Sequence, residues 1–173
     1  MKLFITILLL SLVMVAGCTP APEPAMENPP EPQEPTIDEA LGAYGQGEWI
    51  TDYQEALRYA QELGRPILMN FTGSDWCSWC IKLRNEVFSR QEFTDYAKDN
   101  LVLLTVDFPR VNNQSQAERA QNNELQERLG ITGYPTIVLV NSEGIEINRT
   151  GYRPGGASSY VDHLKQLLVP KAK

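Results

Sequence analysis

A chain of 173 residues has room for one domain with a real core and not comfortably for two, and its 42% hydrophobic and 21% charged content is that of an ordinary globule. The formal net charge of −7 argues against a nucleic-acid partner, which would call for a basic face. Six acids fall between Thr19 and Glu39 with no base among them, so the part from Ala40 onward, with 14 bases against 16 acids, is close to neutral.

Residues 1–17 read as a secretory signal peptide. Lys2 supplies the positive start, and Leu3 to Val15 is an apolar run broken only by Thr6 and Ser11. That run is too short to span a bilayer and has the length of a signal h-region. It ends Val15-Ala16-Gly17-Cys18, and small residues before a cysteine resemble the lipobox of bacterial lipoproteins. The resemblance implies that Cys18 takes a diacylglycerol, becomes the first mature residue and is acylated on its new amino terminus. Several acyl chains on one residue anchor stably where one would not. It also places the protein in the bacterial cell envelope, lipid-anchored to membrane, with its domain facing the periplasm or the exterior.

Residues 18–40 then hold the lipidated cysteine and a linker. Seven of the 12 prolines lie here (Pro20, Pro22, Pro24, Pro29, Pro30, Pro32 and Pro35), among Glu23, Glu27, Glu31, Glu34, Asp38 and Glu39. Such a stretch has too little apolar surface to fold, and reads as an extended tether. At about 3.1 Å per residue it reaches ~60 Å.

Residues 41–173 carry the element signals of one domain. Thr51-Asp52-Tyr53-Gln54 has a capping-box pattern, and Tyr53, Ala56, Leu57, Ala60 and Leu63 recur at helical spacing until Gly64-Arg65-Pro66. Ile67 to Phe71 has strand length. Ser74 or Asp75 is placed to cap a second helix from about Cys77. Ser89-Arg90-Gln91-Glu92 predicts the opening of a third helix, through about Lys98. Leu101 to Phe108 reads as a buried strand. Ser115-Gln116-Ala117-Glu118 opens a fourth helix, closed by Gly130. Thr136 to Val140, a turn at Asn141 to Gly144, and Ile145 to Thr150 make a hairpin. Ser158 or Ser159 opens a last amphipathic helix, ended by Pro170. Strands alternating with helices imply a parallel half, and the hairpin adds an antiparallel one. The expected class is α/β, a three-layer α/β/α arrangement with a mixed central sheet.

Of three cysteines, two form the C-x-x-C of Trp76-Cys77-Ser78-Trp79-Cys80, where a strand, a loop and a helix start meet. Residues three apart share one side of a first helical turn, close enough for a disulfide. Cys77 would face the unpaired N–H groups and the positive end of the helix dipole, which favours a thiolate. Cys80, one turn inside, would be more buried. Cys77 is therefore the expected attacker on a substrate disulfide and Cys80 the group that resolves the mixed disulfide. A zinc site would need two further ligands, and the sole histidine, His163, sits on the last helix. No metal and no cofactor other than a redox-active Cys77–Cys80 disulfide is expected.

Downstream, Gly133-Tyr134-Pro135-Thr136 follows a helix and precedes a strand. The pattern over residues 47–169 resembles the thioredoxin superfamily. The resemblance implies a thioredoxin fold, a cis Pro135 packed by the cysteines, and a Tyr134 whose backbone pairs with an extended substrate by strand addition. Trp76 joins them as a candidate substrate-binding residue. Trp49, Arg65-Pro66-Ile67-Leu68 and Glu86-Val87-Phe88-Ser89 resemble the subgroup that includes the C-terminal periplasmic domain of transmembrane thiol:disulfide interchange proteins. That implies a disulfide reductase of exported proteins. Its partners would be protein disulfides or dithiols, with a membrane electron donor. The family's buried Asp is matched here by Asn70 and its neighbouring Lys by Leu103. That leaves Asp75, Glu86 and Asp107 as candidate proton acceptors for Cys80. Two other readings stay open: a non-catalytic module binding exported polypeptides, and a reductase dedicated to cytochrome c maturation.

Overall fold

The structure, a computed structural model, describes Tyr44 and residues 47–169. The signal peptide reading, Cys18 and the linker up to residue 40 lie outside the described residues. In chain order the elements are β1 (Trp49–Ile50), α1 (Tyr53–Leu63), β2 (Ile67–Thr72) and α2 (Ser78–Leu83), which runs on as a π-helical turn (Arg84–Phe88). They continue as α3 (Gln91–Asn100), β3 (Val102–Asp107), α4 (Gln116–Arg128), β4 (Thr136–Val140), β5 (Glu146–Thr150) and α5 (Gly156–Leu168).

The sheet order is β1-β3-β2-β4-β5. The first three strands run parallel, and β4 is antiparallel to both β2 and β5. The central strands are almost wholly apolar because both of their faces are covered. Ile67, Met69 and Phe71, with Val102, Leu104 and Val106, face α1 and α4. Leu68, Leu103, Ile137 and Leu139 face α2, α3 and α5. This is the three-layer thioredoxin fold. Each fully buried large side chain contributes about 1.5–3 kcal/mol of transfer free energy.

Capping follows the expected logic in part. Ser115 caps α4, accepting from the Glu118 N–H at 3.0 Å, and Gly64, at φ 62°, ends α1 in the left-handed region. The α1 cap is Asp52, one residue later than the box starting at Thr51: its carboxylate accepts from the Glu55 N–H at 2.9 Å. Gln121 of α4 completes that end. Its amide donates to the Thr51 carbonyl and accepts from the Tyr53 N–H, both at 2.8 Å.

Four local expectations are corrected. Neither Ser74 nor Asp75 caps α2: Ser74 donates its N–H and hydroxyl to the Asp107 carboxylate at the end of β3, and the Asp75 carboxylate accepts from backbone amides just beyond it. Ser89 does not cap α3, because its hydroxyl donates to the Arg84 carbonyl and closes the π-helical turn. The last helix opens at Gly156 behind Gly155, ahead of Ser158 and Ser159. Finally, Trp49–Ile50 forms a short strand at the sheet edge, in parallel register with Leu103 and Leu104.

Candidate active site

The loop 73–76 leaves β2 at the C-terminal edge of the sheet and delivers Cys77 to the start of α2. Cys77 is the N-cap, with extended backbone, and its Sγ accepts from the Cys80 N–H at 3.2 Å. The Cys77 N–H donates to the Gly73 carbonyl at 2.9 Å, which fixes the entry angle. Cys77 and Cys80 form a disulfide with Cα atoms 5.2 Å apart. The residues are 7% and 5% exposed.

One flank of the disulfide is aromatic and tied down. The Trp76 indole N–H donates to the Phe108 carbonyl at 2.8 Å. Its ring meets Tyr134 edge-on at 5.9 Å, and Tyr134 stacks on Phe108 at 5.2 Å. The Arg110 guanidinium lies 4.1 Å from the Trp76 ring centre, a cation–π contact. Asp75 holds this loop from below. Its carboxylate accepts from the N–H groups of Arg110, Val111 and Asn112, the shortest at 2.7 Å. The bond from the Arg110 N–H does most to hold its pKa below the usual carboxylate range. Asp107, at the end of β3, accepts from Ser74 through both its N–H and its hydroxyl.

The Tyr134–Pro135 peptide is cis. It precedes β4, whose first residue Thr136 is in register with Phe71 near the end of β2. The cis peptide therefore lies at the sheet edge that carries Cys77. Tyr134 is half-buried, and burial pushes its phenol up from the ordinary value.

The other flank is built from α2 and the β5–α5 loop. Trp79 is 54% exposed and leans on Tyr152 at 5.1 Å between ring centres. Lys82 sits 5.2 Å from each of these two rings. The Tyr152 hydroxyl donates to Glu86 at 2.7 Å. Beneath α2, a pocket of about 350 Å³ reaches Cys80 between Asn70 and Thr72 of β2, Thr105 of β3, and Arg84.

A thioredoxin-like domain family model matches residues 53–165. The chain belongs to the thioredoxin superfamily. It is 40% identical over 116 residues to the disulfide bond reductase DsbH of Chlamydia pneumoniae, covering 67% of this chain and 70% of that one. It is 33% identical over 122 residues to the thiol:disulfide interchange protein DsbD of Cronobacter sakazakii, covering 69% of this chain but only 19% of that one. A solved DsbH oxidoreductase superposes with a TM-score of 0.67 at 33% identity, over 86% of this chain and 94% of the other. Within this superfamily, a paired C-x-x-C at the head of α2 is the site of a thiol–disulfide oxidoreductase.

The thioredoxin-superfamily residues singled out from sequence fall into one place. Cys77, Cys80 and Trp76 share the head of α2, and Tyr134 reaches Trp76 across the loop. His163 is elsewhere, 3.0 Å from the Thr150 hydroxyl, and burial lowers its basicity. The family's charged pair is absent from the matching strands, but the pairing differs from expectation. Asn70 is in register with Thr105, while Leu103 lies opposite Leu68. The Asn70 Oδ1 is buried with no hydrogen-bond partner. Sequence reasoning missed Phe108, Arg110, Tyr152 and Arg84. Their local signal was no more than aromatic or basic character, beside a turn for the first three and within a helix for Arg84.

Proposed function

We propose that this protein is a membrane-anchored reductase of disulfides in exported proteins. The cysteine pair at the helix start, closed as a disulfide and flanked by a cis-proline loop, carries the reading. In the working direction Cys77 is the nucleophile. Its position at the N-cap, facing the free amides of the first turn, favours the thiolate. It attacks a substrate disulfide and forms a mixed disulfide, releasing one substrate thiolate. Cys80 then attacks Cys77, releases the second substrate thiolate and leaves the pair oxidised. Two electrons pass from the pair to the substrate, and a membrane electron donor restores the dithiol.

Tyr134 and Pro135 offer main-chain groups to an extended substrate, and Trp76 supplies an apolar wall beside the attacked sulfur. Residues 18–40 tether the domain (41–173) through an acylated Cys18 after removal of residues 1–17. The tether confines the chemistry to the envelope side of the membrane. The reductive direction is favoured by the name of the DsbH relative, a disulfide bond reductase.

The roles separate in a trapping experiment. Cys80→Ser should accumulate mixed disulfides with envelope proteins, whereas Cys77→Ser should not. Equal trapping by both variants would remove the assignment of roles. A Cys77→Ser/Cys80→Ser chain indistinguishable from wild type in cells would favour a binding module instead.

A further inference from the structure

The closing step needs an ionised Cys80, and no carboxylate lines the pocket beneath it. The pocket that Cys80 helps to line is walled by uncharged groups from three strands: Trp49 of β1, Asn70 and Thr72 of β2, and Thr105 of β3. Its one charged lining residue is Arg84. Arg84 lies four residues after Cys80, one turn along, and its N–H donates to the Cys80 carbonyl. Side chains so spaced share a helix face. Among the described residues the ion pairs engage Arg58, Lys82, Arg149 and Lys165, and Arg84 is in none of them.

The other charges around Cys80 are committed elsewhere. Glu86 is paired with Lys82 at 3.9 Å and accepts from Tyr152. Asp75 is held by the amides of 110–112. Asp107 accepts from the Ser74 N–H and hydroxyl and from the Phe108 N–H. On α5, Tyr160 donates to the Gly151 carbonyl and His163 meets Thr150.

We propose that Arg84 is a positioning residue that favours the Cys80 thiolate, so that the mixed disulfide closes without a buried carboxylate base. This rests on the oxidoreductase reading above. The Cys80 proton passes to water through the pocket. The Cys80–Cys77 bond then forms as the Cys77–substrate bond breaks, and the leaving substrate thiolate takes a proton from water. Arg84 is solvent-exposed, so its effect is screened and salt-dependent.

The test titrates Cys80 by its ultraviolet thiolate absorbance in a Cys77→Ser background. Arg84→Gln should raise the Cys80 pKa by roughly half to one unit, less at high salt, and Arg84→Lys should restore most of it. With the cysteine pair intact, a weaker thiolate is partly offset by its greater nucleophilicity. Mixed-disulfide closure at neutral pH should therefore slow about two- to fourfold. An unchanged titration in Arg84→Gln overturns the proposal. So does a shift that Arg84→Lys does not reverse, or slow closure in Asp107→Asn with none in Arg84→Gln. If the wild-type chain never reduces a protein disulfide, the oxidoreductase reading fails. The Cys80 titration still judges Arg84 separately.

Discussion

Gly73 is where a single methyl group tests the architecture of the site. A Cβ there would stand 2.5 Å from the Trp76 Cε2 and 2.6 Å from its Nε1. Those are atoms of a rigid ring held by the Phe108 carbonyl. Gly73 is not among the glycines with positive φ, so an alanine meets no backbone penalty. The three nearest atoms all belong to the indole. In Gly73→Ala the ring must either stay, as an overpacked contact costing about 1–3 kcal/mol, or swing out. Swinging out forfeits a hydrogen bond of about 0.5–1.5 kcal/mol and an aromatic edge contact of similar size. Against either stands the gain from a less flexible unfolded chain, about 0.4–1 kcal/mol. A net loss of roughly 1–2 kcal/mol follows, and its sign should invert once the ring is removed. In a Trp76→Ala background, Gly73→Ala should be neutral or slightly stabilising. Denaturant unfolding of the four chains of this double-mutant cycle measures the coupling directly. If Gly73→Ala costs the same with and without Trp76, the indole contact is not what requires glycine there, and the reasoning fails.

Two further substitutions probe how the domain is held. Asp75→Ala should speed amide hydrogen exchange at Arg110, Val111 and Asn112, the three donors it satisfies. Because the folded carboxyl titrates below its ordinary range, its contribution is present above that range and lost as the pH falls through the depressed value. The wild-type stability profile should therefore drop more steeply than that of Asp75→Ala at the acid end. Tyr44→Phe removes the acceptor of the buried Leu103 N–H, a 2.7 Å bond. The unpaired amide should cost about 1–3 kcal/mol in denaturant unfolding. Burial pushes the Tyr44 phenol up to about 12. Its share of stability is therefore full below the unfolded tyrosine value and fades as the pH climbs toward 12. Tyr44→Phe should flatten that alkaline decline.

Most of the layer plan was readable from the chain because periodicity and stop signals are local. Ile67 to Met69 and Val102 to Leu104 are apolar because those strands are covered on both faces, and Gly64 and Gly130 stop helices by their own backbone freedom. What escaped depends on partners distant in sequence. Asp75 has the chemistry of a helix cap, yet the amides it satisfies lie 35 to 37 residues away. Ser89 matches a capping box, but the helix before it winds wider and claims its hydroxyl first. The two-residue β1 has no pattern of its own, since parallel edge pairing is dictated by β3. The cysteines were legible because their spacing is itself the signal. The wall around them was not, because Phe108, Arg110 and Tyr152 reach the site from loops after β3 and β5.

Those loops also explain why the two flanks of the disulfide differ in kind. On the Trp76 side, the Phe108 N–H donates to the Thr72 carbonyl, continuing the β2–β3 ladder past its end. Asp107 then binds Ser74, and Asp75 binds the chain at 110–112. Adjacent acceptors and donors thus stitch the loop before Cys77 to the exit of β3 at three successive levels. A substrate arriving there meets a wall whose shape is set beforehand and pays little ordering entropy to use it. On the Trp79 side the contacts are side chain to side chain. Trp79 rests on Tyr152, and Lys82 and Glu86 are exposed enough for water to compete with their pairing. That side can repack around different partners at small cost. A thiol–disulfide oxidoreductase that exchanges with protein partners is served by both: a fixed edge to present the sulfur, and an adaptable one to admit whatever carries the disulfide.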